Sequence, residues 1–169
     1  GISNVGLLFV VGEERGSDGA KAAQALASGS KYLINGEPTD NRLGIGTRGA
    51  LRYNLRAKGR AAHSSFPELG VSAIEKLIDA LVMMRKMELP EHPVLCRTHY
   101  TVGLIKGGVA PNVIPFEAEA EVMFRTVTDV AGLRASLARL TTLVTIEQVL
   151  EVPPVTMPTV SSAKPSVTE

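Results

Sequence analysis

Val113-Ile114-Pro115-Phe116-Glu117-Ala118-Glu119-Ala120-Glu121-Val122-Met123-Phe124 is the plainest strand in the sequence. Phe116, Ala118, Ala120, Val122 and Phe124 alternate with Glu117, Glu119 and Glu121. Successive side chains of a strand point to opposite faces, so one face of this segment is apolar and the other charged. That pattern belongs to an antiparallel sheet covered on one side only. Outward from this strand the pattern recurs. Leu51, Tyr53, Leu55 and Ala57 alternate with Arg52, Asn54, Arg56 and Lys58. Residues 99–105 set Tyr100, Val102 and Leu104 on one side, and residues 145–152 set Ile146, Leu150 and Val152 inward.

Two helices separate these strands. Over 71–87, Val71, Ile74, Leu77, Ile78, Leu81 and Val82 recur at three- and four-residue steps, with Glu75, Lys76 and Asp79 opposite them. Pro90 and Pro93 end the pattern. Asp129 is placed to cap a second helix whose buried stripe is Val130, Leu133, Leu137 and Leu140. The order is β-α-β-β-α-β, the ferredoxin-like split unit, and the fold class is α+β. Its second and fourth strands are edges, and an exposed edge must be protected or paired. Strand 99–105 with helix 71–87 is expected to pair with a second copy across a two-fold axis.

The beginning of the chain has a different character. Leu7-Leu8-Phe9-Val10-Val11 stops at Gly12, and Glu13-Glu14 follow at once. An apolar run over residues 1–11 predicts a strand buried on both faces. Ser17 or Asp18 can cap an alanine-rich helix over 19–27, and Lys31-Tyr32-Leu33-Ile34-Asn35 predicts a second strand ending at Gly36-Glu37-Pro38-Thr39-Asp40. Strand, helix, strand makes a parallel βαβ unit. Glu13, Glu14 and Glu37 then gather at the carboxyl edge of one sheet, where open α/β sheets bind their ligands. Neighbouring carboxylates repel unless a metal ion takes one as ligand and leaves another to handle protons. A solvated pair at a loop tip is the other reading. The expected organisation is one unit over 1–44, a second over 45–153 and a connector over 154–169.

Bulk properties exclude several classes. A net charge of +1 gives no electrostatic footprint for nucleic acid or an anionic membrane, and 4% aromatic residues leave little for base stacking. No apolar run approaches a membrane span. The single cysteine, Cys96, forms no internal disulfide, suits a reducing, cytoplasmic setting and is expected to pack as a small apolar side chain.

Five motifs stand in order: Glu13-Glu14; Gly36-Glu37-Pro38-Thr39; Gly59 with Ala62-His63-Ser64-Ser65-Phe66-Pro67; Asn112-Val113-Ile114-Pro115; and Phe124-Arg125. The series resembles the acetylornithine deacetylase, succinyl-diaminopimelate desuccinylase and glutamate carboxypeptidase family of two-zinc metallopeptidases, over nearly the whole chain. The resemblance implies a ferredoxin-like dimerisation (lid) domain over 45–153, preceded by a partial catalytic domain over 1–44, a βαβ piece of an α/β zinc-hydrolase domain, and followed by a connector over 154–169 back toward the catalytic domain. It implies Glu13 as general base, Glu14 as ligand of one zinc and Glu37 of the other. It implies that His63 reaches into the active site of a second subunit to steady an oxyanion. Asn112 and Arg125 would bind the substrate's carboxylate or the peptide oxygen nearby. The implied cofactors are two zinc ions, or cobalt, in the full-length protein. The implied substrate is an N-acyl amino acid or peptide, and the implied assembly a homodimer.

Each role suits its chemistry. A carboxylate can take a proton from water, an imidazole N–H suits a developing oxyanion, and an arginine fork suits a carboxylate. The residues alone leave other readings open. His63 could be solvated, Arg125 could pair with the Glu117-Glu119-Glu121 row, and Asn112 could serve a turn. His92 and His99 carry no motif and read as surface or packing residues.

The sequence also departs from the family. A complete member carries a His-x-Asp segment before the paired glutamates and a zinc-binding His near its C-terminus, and neither is present here. Two carboxylates without an imidazole make a poor zinc site. The expectation is therefore a fragment of a zinc-dependent amidohydrolase or exopeptidase, inactive by itself and binding zinc weakly or not at all. The alternative is a non-catalytic dimerisation or binding module.

Overall fold

The computed structural model describes residues 4–26, 29–36, 40 and 42–157. The chain divides into two compact units, Gly1–Arg42 and Leu43–Glu169.

In the first unit the two expected strands do not form. Residues 5–12 and 32–36 carry no strand, and Leu7, Phe9 and Ile34 are 83%, 89% and 95% exposed. The reason is physical. A run apolar on both faces becomes a strand only between partner strands under covering layers, and neither run has such a partner among the described residues. The turn between them is local and tight. Gly12, at φ 76°, leads into a 3-10 turn over Glu13–Arg15, and the Ser17 N–H donates to the Gly12 carbonyl at 2.7 Å. Helix α1, Asp18–Gln24, follows. Ser17 stands at its N-cap, but its hydroxyl caps nothing and turns back toward the Glu13 carbonyl.

The second unit holds β1 (Gly49–Lys58), α2 (Ala73–Arg85), β2 (His99–Gly107), β3 (Glu117–Thr126), α3 (Ala131–Ala138) and β4 (Thr145–Val152). The sheet order is β2-β3-β1-β4 with every neighbour antiparallel. This is the expected ferredoxin-like arrangement, with β2 and β4 at the edges. Leu51, Leu55, Val122 and Phe124 are fully buried on the helix-facing side, where Tyr53 and Tyr100 pack around Phe124. The other face carries charge in register: Arg56 lies between Glu119 (3.2 Å) and Glu147 (2.9 Å). Phe116, expected inward, lies just outside β3 and is 42% exposed.

Helix α2 starts at Ser72, whose side chain accepts from the Glu75 N–H at 3.2 Å. Its buried stripe is Ala73, Leu77, Ala80 and Met84 rather than the one the large residues mark. The small alanines let the helix approach the sheet. Ile78 (49% exposed) and Val82 (38%) are consequently left on a second, uncovered apolar face. Helix α3 buries Leu133 and Leu137 as expected, with Leu140 beyond them, but its N-cap is Val130 rather than Asp129, whose Oδ1 accepts from the Ala131 N–H at 3.0 Å from one residue further out.

Both edge strands carry a bulge, and each bulge reverses a predicted face. In β2 the register shifts between Val102 and Leu104, so Leu104 sits opposite Glu121 on the charged face. In β4 the shift brings Leu150 opposite Arg52 and Val152 opposite Ala50, away from the helices. Glu151 takes the inner position and bonds to Arg134 of α3. Cys96 is exposed at φ 63° in a two-strand turn, Glu91–His92 against Cys96–Arg97, rather than packed as expected. The turn is held by His92, whose Nδ1 accepts from the Val94 and Leu95 N–H groups at 3.2 Å each.

Candidate functional site

His63 belongs to a loop closed at its base by a two-way backbone bridge. Arg60 N–H donates to the Val71 carbonyl at 2.8 Å, and Val71 N–H returns to Arg60 at 2.9 Å. The Arg60 side chain adds a bond from Nε to the Leu69 carbonyl at 2.6 Å. A second loop, between β2 and β3, is zipped against the first. Ser64 N–H donates to the Asn112 carbonyl (2.9 Å), Ile114 N–H to Ala62 (2.9 Å) and Ala73 N–H to Pro115 (2.8 Å). His63 bridges to Val113 in this ladder. Two segments far apart in sequence thus act as one platform, with His63 and Asn112 exposed on it.

The ring of His63 is oriented. Its Nδ1 accepts from the Ser65 N–H at 3.2 Å, so the neutral ring carries its proton on Nε2, which stays available as a donor. The motif predicts the residue, and this contact supplies the tautomer suited to an oxyanion.

Arg125 is elsewhere. Eight residues of β3 separate it from Glu117, about 27 Å along an extended strand. It lies at the end of the sheet where the chain enters at Gly49 and leaves after Val152. The Glu row does not hold it: Glu119 pairs with Arg56, and no ion pair reaches Arg125 among the described residues. The sheet therefore brings His63 and Asn112 together and sets Arg125 apart. Beside Arg125 stand His99 and Arg48, which the motifs did not single out. Strand register reveals His99, and that register needs the bulge in β2; Arg48 is placed by its bond to the Leu95 carbonyl.

Glu13 and Glu14 are exposed neighbours on the 3-10 turn before α1, while Glu37 lies outside the described residues. Among the described residues no three His, Cys, Asp or Glu side chains gather to hold a metal. The chemistry of the available donors agrees with that limit. Glu14 and Glu37 are two carboxylates without an imidazole, which does not fit a zinc centre by itself. No helix among the described residues is long and apolar enough to cross a membrane.

Comparison with known proteins gives consistent findings. The family model described as peptidase dimerisation domain matches residues 45–143. A peptidase M20 domain-containing protein of Schizosaccharomyces pombe is 40% identical over 132 residues, covering 78% of this chain and 33% of that protein. A probable carboxypeptidase of Neosartorya fischeri is 42% identical over 135 residues, 72% of this chain and 31% of that one. The chain spans about a third of the length of these relatives. Among solved structures, aminopeptidase PepT of Bacillus cereus matches with TM-score 0.70 at 22% identity, over 88% of this chain and 42% of that chain. That likeness speaks to the fold.

Proposed function

The chain belongs to the peptidase dimerisation domain family, and from that premise we propose that it is the lid of a longer metal-dependent hydrolase together with part of its catalytic domain. The reaction is hydrolysis of an amide bond next to a free carboxylate, in an N-acyl amino acid or at a peptide's C-terminus. The observation that carries this reading is the platform on which His63 and Asn112 stand together, beyond the end of β3 opposite to Arg125.

That separation divides the labour. Arg125, at the end where the chain enters and leaves the lid, serves the centre of its own subunit. His63 and Asn112, at the far end, serve the centre of a second copy. The second copy docks on the uncovered apolar face of α2, where Ile78 and Val82 are exposed, and on the open edge of β2, where Val102 and Ile105 are exposed. His63 Nε2–H then donates to the oxyanion as the carbonyl becomes tetrahedral, and the Asn112 amide donates beside it. Arg125 holds the substrate carboxylate through its two-pronged guanidinium. Glu13 accepts the proton of the attacking water and passes it to the leaving nitrogen.

On this reading Glu14 and Glu37 each supply one ligand to a two-zinc centre whose remaining ligands lie outside this chain. The chain alone is then a dimerisation module without chemistry of its own. The test is to restore the flanking sequence and assay hydrolysis of N-acyl amino acids and short peptides. Activity that Glu13→Gln abolishes is expected. Activity unaffected by that change would remove Glu13 as the base.

A further inference from the structure

Arg125 does not stand alone at its end of the sheet. His99 of β2 is its direct cross-strand partner. Directly opposed residues of antiparallel neighbours project from the same face, with Cβ atoms about 5 Å apart. Tyr100, next in the chain, packs inward on Phe124 at 5.4 Å between ring centroids, so His99 and Arg125 both face away from the helices. Arg48 joins them from the segment before β1. Its Nε donates to the Leu95 carbonyl at 2.9 Å, which fixes the guanidinium and leaves its Nη groups without a partner among the described residues.

These three side chains line one shallow cleft of about 510 Å3 with Thr47, Leu95 and Cys96, and no carboxylate lines it. Of the acids of the surrounding elements, Glu91 pairs with Arg97, Glu151 with Arg134 and Glu119 with Arg56. One guanidinium fork satisfies one carboxylate. A second guanidinium and an imidazole in the same cleft exceed what a single carboxylate needs.

We propose that Arg48, His99 and Arg125 form a subsite for a dicarboxylate, so that the hydrolase prefers substrates whose carboxylate-bearing residue is itself acidic. Arg125 takes the main-chain carboxylate; Arg48 and His99 take the side-chain carboxylate, with His99 setting the preference. This rests on the reading of Arg125 given above.

Cys96, the only cysteine, opens into the same cleft and reports on it in the chain as it stands. Its alkylation by anionic iodoacetate, relative to neutral iodoacetamide, is expected to exceed that ratio for a blocked free cysteine by about threefold or more at low salt. Arg48→Gln with Arg125→Gln should return the ratio to the free value, while Lys58→Gln at the far end of β1 should not change it. Glutarate should protect Cys96 from iodoacetamide saturably and at lower concentration than butyrate, and His99→Ala should erase that difference. An unraised ratio, equal protection by glutarate and butyrate, or a difference that survives His99→Ala would each overturn the proposal. These readouts need no catalysis. In the restored enzyme, activity lost in Arg125→Gln with unchanged preference for N-acyl glutamate over N-acyl alanine in His99→Ala would keep the hydrolase reading and overturn this one.

Discussion

His63 presents one nitrogen inward to the Ser65 amide and one outward, and its value as a donor rests on that division. Replacing it by alanine in the restored enzyme is expected to lower kcat by about a hundredfold or more with little change in KM, as for loss of one oxyanion donor. His63→Asn, which keeps an N–H donor, should lose less. Steady-state kinetics of the two variants checks both statements. Gly59 shows how tightly the platform is built. A Cβ there would lie 1.9 Å from the Val71 carbonyl oxygen and 2.9 Å from the Ala73 nitrogen, both backbone atoms that cannot swing away. Gly59→Ala should therefore destabilise the domain by about 2 kcal/mol or more, read by denaturant unfolding. The motifs made His63, Asn112 and Arg125 legible one at a time. Their grouping was not legible, because it depends on a backbone ladder between distant loops and on the length of β3. His99 and Arg48 carried no local signal.

At the scale of elements, periodicity located all four strands and both helices of the sheet layer, but it misplaced faces wherever geometry interrupts the period. A bulge adds one residue and turns every later side chain to the opposite face. Strict alternation therefore places Leu104, Leu150 and Val152 inward, whereas they lie outward. In α2 the misassignment has another source. Counting large apolar residues as the buried stripe overlooks that small ones allow closest approach, and Ala73 and Ala80 hold those positions. The helix thus has two apolar faces, one covered by the sheet and one free. Ile78→Glu on the free face should abolish self-association in sedimentation experiments while leaving the unfolding of the monomer nearly unchanged, since Ile78 is 49% exposed already. Ser72→Ala removes the N-cap acceptor for Glu75 and should cost about 1 kcal/mol of stability.

For the whole molecule, sequence reading reached the α+β class and the strand order, since a β-α-β-β-α-β succession leaves few ways to close one sheet. It failed in the first unit, where Leu7-Leu8-Phe9-Val10-Val11 and Tyr32-Leu33-Ile34 carry the composition of buried strands and find no strand partner among the described residues. Composition records what a segment needs; it does not supply the neighbours. The same shortfall governs metal. With Glu14 and Glu37 as its donors and no imidazole, this chain should retain well under one zinc per chain after equilibration and dialysis, as read by elemental analysis.

On the proposed function, His63 and Asn112 act in a different subunit from the Glu13 they serve. Mixed dimers of the restored enzyme test this directly. Glu13→Gln subunits and His63→Ala subunits, each inactive alone, should recover about a quarter of wild-type activity after random re-pairing, because half the dimers then hold one complete centre. Mixtures that remain as inactive as their components would contradict it and return His63 to its own subunit's centre.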